Sequence, residues 1–171
     1  MNDDAIAAQL VTRMDRDQQA RNREPPDWNE VAAVDADNTT WLASVLDRHG
    51  WPLRSQVGEQ AATAAWLLAQ HAGAQPEFQR RCLALLTESI AGREADPGNL
   101  AYLTDRVLCA EGRPQRYGTQ FWTVPDDTDA TGRLHARPIE DREHLDERRA
   151  AVGLGPFADY ERHMIDGYGD A

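Results

Sequence analysis

Residues 57–72 read VGEQAATAAWLLAQHA. A helix drawn through this stretch carries apolar side chains in nearly every direction. Such a helix belongs in a protein core or a membrane, because no face of it is suited to water. A membrane span needs roughly 20 predominantly apolar residues. This run is shorter and is interrupted by Thr63. Val57 to Ala72 is therefore expected to be the central buried helix of a helical domain, ended by Gly73 and Pro76.

The neighbouring segments supply amphipathic helices to surround it. Ile6, Leu10 and Met14 recur every four residues within 4–22, and Pro25-Pro26 ends that helix. A second helical stretch starts near Asp27 with Val31 and Val34. It either continues or restarts after Asp37 through Trp41, Leu42, Val45 and Leu46, and Gly50 closes it. Pro76 opens a helix whose inward residues are Phe78, Cys82, Leu85, Leu86 and Ile90. Asp96-Pro97 opens another, Leu100 to Ala110, stopped by Gly112. Beyond Gly112 the texture changes. Gln120 to Val124 and Arg133 to Arg137 are β-rich and flank the polar run Asp126 to Gly132, giving a β-hairpin or an irregular lid. Asp141 can cap a helix through Val152, and Pro156 starts a last short one. The expected fold is mainly α: a compact bundle of about six to seven helices with a small β-hairpin or irregular loop near residues 114–138. With no repeat and no linker, residues 1–171 are expected to form one domain.

Composition narrows the chemistry. Of 171 residues 41% are hydrophobic, enough for a real core. The formal charge of −11 repels phosphate backbones and anionic lipid surfaces, so neither nucleic acid nor a membrane is an expected partner. The start, MNDDAIAAQ, is acidic and lacks a signal-peptide layout, which implies a cytoplasmic protein. Cys82 and Cys109 are then expected to be free, buried thiols. All 18 basic residues are arginine. The absence of lysine excludes Schiff-base chemistry on a side chain, covalent pyridoxal phosphate and the phosphate-loop lysine. The arginine and alanine bias fits a high-GC, actinobacterial genome.

Two polar constellations could carry chemistry. Gln70-His71 ends the central helix, where a histidine beside apolar residues is a candidate acid/base. The plainer alternative is a helix cap, with His71 bonding the last carbonyls. Asp105-Arg106 lies inside an otherwise apolar helix and is followed by Gln115-Arg116-Tyr117-Gly118-Thr119-Gln120. Buried charges need partners, so Asp105 and Arg106 are either a structural pair or a site. In a site, Arg106 would clamp an anionic group and Asp105 would orient His71 or accept a proton. Gly118 permits an unusual turn that could bring amides to a ligand, although an ordinary loop explains the run as well. His49, His71, His135, His144 and His163 include no pair at ligand spacing on one helix, so no metal is expected. A nucleophile elbow, a dinucleotide glycine fingerprint and a CxxC pair are all missing, so no cofactor is expected either.

The strings DNTTWLASVLDRHGWPLRSQVGEQAATAAWLLAQHA, PEFQRRCLALL, LAYLTDRV, EGRPQRYGTQF and PIED resemble a bacterial family of unknown function, DUF family 6624, over about residues 35–155. The resemblance implies no activity. It marks Gln70, His71, Gln79, Asp105, Arg106, Gln115, Tyr117, Gly118 and Gln120 as motif positions, and many relatives carry an acid after the QHA string where this chain has Gly73. Motifs of these residue types suit a ligand pocket. The expected function is a small-molecule-binding protein acting as a cofactor-independent acid/base enzyme (cyclisation, isomerisation, condensation or hydrolysis), with secondary metabolism as one setting. His71 and Asp105 are the candidate catalytic residues. Gln70, Arg106, Gln115, Tyr117 and Gln120 are the candidate substrate contacts, for a ligand that could be anionic. The alternative is an immunity-like interaction module for a basic partner. Oligomeric state stays open.

Overall fold

The computed structural model describes residues 2–126 and 129–168. Eight α-helices and one two-stranded antiparallel hairpin make up the regular structure among these residues. The chain divides into two compact units, residues 1–103 and 104–171. Their boundary falls inside a continuous helix, which is why no linker marks it in the sequence.

The first unit is all helical. α1 (Asp3–Arg21) starts where the Asn2 side chain accepts from the Ala5 amide. α2 (Trp28–His49) starts where the Asp27 carboxylate accepts from Asn29 and Glu30. It runs through Asp37 without a break, which decides between the two readings of that stretch. A one-turn helix, α3 (Arg54–Val57), precedes α4 (Glu59–His71), and Gly58 separates them with φ 82. The central helix thus begins at Glu59 and not at Val57. α5 (Pro76–Ile90) begins at Pro76, and α6 (Pro97–Ala110) begins at Pro97, where the Asp96 carboxylate accepts from the Asn99 amide.

α4 is the hub of this core. Ala61, Ala64, Ala65, Leu68, Ala69 and Ala72 are buried and repeat at the 3–4 spacing of one helix face. Their small side chains let α1 and α2 pack closely against it. Leu10, Leu42, Val45, Cys82, Leu86 and Leu103 close around that stripe. Each such aliphatic side chain contributes roughly 1.5–3 kcal/mol when removed from water. The helix is not apolar all round, because Glu59, Gln60 and Thr63 face solvent.

The second unit contains the rest of α6 and the hairpin. β1 (Phe121–Asp126) and β2 (Asp129–Ala136) pair with Phe121 opposite Ala136 and Trp122 opposite His135. The hairpin thus extends through the polar run that was expected to separate its strands, although residues 127–128 lie outside the described part. A 3-10 turn (Arg142–His144), α7 (Leu145–Ala151) and α8 (Phe157–Tyr168) follow. Asp141 does not cap a helix as expected. It has φ 43, and its carboxylate pairs with the His144 ring at 3.0 Å. Phe121 packs on Phe157 and Tyr160. Both cysteines are free, Cys82 buried and Cys109 only half-buried. Among the described residues no helix is long and apolar enough to cross a membrane.

Candidate functional site

In the first unit the ends of α1 and α4 and the middle of α2 place four ionisable side chains together. His71 Nδ1 lies 2.9 Å from both oxygens of Asp17. Asp17 is 1% exposed. Arg21, one turn further along α1, brings Nε within 3.3 Å of Asp17 and 3.1 Å of His71 Nδ1, and its NH2 pairs with Asp35 at 2.5 Å. A proton on Nδ1 donates to Asp17, and the Arg21 Nε–H then serves the same carboxylate. This leaves Nε2 as the ring position with no hydrogen bond among the described residues, and the His71 side chain keeps 18% exposure.

The expected helix-cap role of His71 belongs to another residue. The buried Gln79 of α5 donates from Nε2 to the carbonyls of Ala69 and Gln70, both at 3.0 Å. These carbonyls lie in the last turn of α4, where acceptors run short of intrahelical donors, and the Ala72 amide also serves Ala69. With the cap supplied by Gln79, the imidazole is available to Asp17. Gln70 is buried beside it in sequence, and its Oε1 has no hydrogen-bond partner among the described residues.

The two carboxylates flanking Arg21 are biased in opposite directions. Burial alone would raise Asp17, but the hydrogen bond and charge of His71, with Gln18 and Arg21, hold it below the ordinary aspartate value. Asp35 is raised, chiefly by burial, against the pull of Arg21. Neighbouring titratable groups pushed apart in this way mark sites of proton transfer more often than chance. One ligand atom each from Asp17, Asp35 and His71 also lies within 4.8 Å of the others, a spacing that a divalent cation could bridge. The Arg21 guanidinium supplies the positive charge between those groups.

Asp105, Arg106, Gln115, Tyr117 and Gln120 belong to the second unit, whereas Gln70 and His71 belong to the first. The carboxylate that orients His71 is Asp17. The Asp105 carboxylate instead organises its own loop. Its Oδ1 accepts from the amides of Arg116 (2.7 Å) and Tyr117 (3.1 Å), and its Oδ2 from the amide and hydroxyl of Thr119, both at 3.0 Å. Gln115 is fully buried and behaves like a piece of backbone. It accepts from the Gln120 amide and donates to the carbonyls of Gln120 and Arg137. Arg148 and Arg149 hold the carbonyls of Arg116 and Tyr117. Gln120 donates to the Thr119 hydroxyl. Gly118 has φ 70, and a Cβ there would sit 2.7 Å from the Phe157 ring. The glycine thus serves a close packing contact in a left-handed turn. Arg106 is half-buried on α6 and already engaged. These polar groups are consumed by the fold, so the structural alternative accounts for Asp105, Gln115 and the backbone of residues 116–120.

Sequence reasoning missed Asp17, Arg21, Asp35 and Arg149. Asp17 did leave a signal, since it continues the Ile6, Leu10, Met14 stripe three residues on, where a carboxylate has no reason to be unless paired. Arg149, 2% exposed, had none, because its hydrogen-bond partners are the backbone carbonyls of Gly155 and Tyr117, which residue type does not reveal.

A mainly helical chain with a histidine on a buried carboxylate does not by itself define a class. The family does come from similarity: the model of DUF6624, a family of unknown function, matches residues 2–171, and the chain belongs to it. The match is wider than the region whose motifs carry the resemblance. No curated protein and no solved structure matches the chain.

Proposed function

We propose that this chain binds a small molecule and moves a proton on it without a cofactor, with His71 as the acid/base. The observation that carries the reading is the buried Asp17 carboxylate on His71 Nδ1 at 2.9 Å. A carboxylate in that position fixes the ring's tautomer and orientation and stabilises the imidazolium formed when Nε2 takes a proton. Asp17 is a positioning residue; Asp35, raised by burial against the pull of Arg21 and partly open to solvent, is the second carboxylate at the site. Arg21 keeps the two carboxylates apart in charge and limits their mutual repulsion. The reaction class is isomerisation, cyclisation, condensation or hydrolysis, all of which need only a placed proton carrier.

Incubation with a bacterial metabolite extract in deuterium oxide tests this. Mass spectrometry should find a compound that gains deuterium or changes mass with the parent protein. The change should vanish with His71→Gln and fall with Asp17→Asn. Identical extracts after treatment with the parent and His71→Gln proteins would sink the proposal.

A further inference from the structure

Alternation along a strand sends adjacent side chains to opposite faces. Phe121 turns toward Phe157 and Tyr160, with ring centroids 6.5 and 5.8 Å away. Trp122 therefore faces the other way, where it is 44% exposed. On that side, wholly within residues 104–171, it borders a cleft of about 330 Å³. Cys109, Pro114, Arg137 and Pro138 form its other walls, with Arg113 at one end. Small-molecule sites occupy roughly 300–1,000 Å³ and pair apolar walls with a few placed polar groups.

Charge gives the cleft its specificity. The Arg137 guanidinium lies 4.9 Å from the centre of the Trp122 ring. Among the described residues its side chain makes no ion pair and no hydrogen bond, and its backbone amide and carbonyl bond to Gln120 and Gln115. A cation–π contact with the indole leaves the guanidinium N–H groups able to form a two-pronged contact with an anion. Arg113, by contrast, is paired with Glu111. The flat faces of the indole and the two prolines suit a flat, apolar body.

We propose that this cleft binds a planar aromatic carboxylate, its ring against Trp122, Pro114 and Pro138 and its carboxylate on Arg137. The site lies in the second unit and is independent of the His71 proposal, so either can fail alone.

The test uses the whole chain with 2-naphthoate as probe and its uncharged counterpart, 2-naphthalenemethanol. Cys109 reports occupancy, because it lines the cleft and is half-exposed while Cys82 is buried. Saturating 2-naphthoate should slow alkylation of Cys109 several-fold, read by peptide mass mapping, and the alcohol at the same concentration should not. Arg137→Gln should weaken 2-naphthoate at least about tenfold in calorimetry, the usual worth of a charge-assisted fork, with an unchanged melting temperature. Unprotected Cys109 in the unaltered protein overturns the proposal. So does equal protection by acid and alcohol, or undiminished affinity in Arg137→Gln. If that variant does not fold, the acid–alcohol comparison on the unaltered protein decides.

Discussion

Asp17 and Asp105 are both buried aspartates on helices, and they do opposite things. Asp17 faces ionisable side chains, His71 and Arg21, and is held below the ordinary aspartate value even though burial alone would raise it. Asp105 faces backbone amides and one hydroxyl, and burial leaves it raised despite those donors. Charged partners that keep some exposure can respond to a ligand or to pH. Amide partners cannot titrate, so a carboxylate among them is a fastening. The comparison teaches that a dense run of polar motif residues is weaker support for a chemical site than one histidine on a buried carboxylate.

The sharpest way to break this contrast is Asp105→Ala. It leaves the amides of Arg116, Tyr117 and Thr119 without their acceptor, and each orphaned buried donor costs about 1–3 kcal/mol. The expected loss is about 4 kcal/mol or more in urea denaturation. A variant as stable as the parent would show that the loop does not depend on this carboxylate. Next is Gly118→Ala, which places a methyl group 2.7 Å from Phe157 in a left-handed backbone conformation. Strain and overpacking together should cost about 2–4 kcal/mol, measured by thermal melting, and a neutral effect would show that the Phe157 ring can move aside.

Asp17→Ala should cost less, about 1–3 kcal/mol, because His71 and Arg21 can turn partly to water. His71→Gln should cost less again, about 1 kcal/mol, because the glutamine amide can still donate to Asp17. A collapse of His71→Gln in the same assay would make His71 a structural residue and remove the contrast.

The smallest effect is in the sign of a pH slope. Asp17 is lowered in the fold, so its stabilisation is present above the unfolded value of 3.8 and is lost as pH falls through the folded value beneath it. Asp105 is raised, so the parent binds its proton in the fold first and gains stability as pH falls through that higher value toward 3.8. Relative to the parent, Asp17→Asn should therefore be least harmful at the acid end, and Asp105→Asn most harmful there. Denaturation curves between pH 3 and 6 check both signs, and parallel slopes would refute the distinction.

Much of the fold was legible because it is written in local signals. Pro76, Asp27 and the Asp96-Pro97 pair start helices where their backbone chemistry requires. The burial of α4 was visible as composition, although its solvent face at Glu59, Gln60 and Thr63 was not. The site was less legible, since His71 and Asp17 stand 54 residues apart and no local rule says which helix faces which. His71 was found as a residue type in an apolar setting, and its partner was assigned to the wrong aspartate. Asp105 and Gln115 were found as buried polar groups, but residue type cannot tell a substrate contact from a brace on the backbone 5–22 residues away. The division of the chain was invisible because it lies within a helix that reads as continuous.

Gln79 closes the end of α4 from α5, and the amides of Ala72 and Gln75 close the turn, so no side chain at Gly73 is needed for capping. Gly73 in that turn is exposed, carries no left-handed backbone angle, and has open space where a Cβ would stand. A carboxylate could appear there by a single-base change of a glycine codon to an aspartate codon, at no steric cost, two residues from His71. The turn is thus a place where selection can adjust the charge beside the histidine while the helices that carry it stay unchanged.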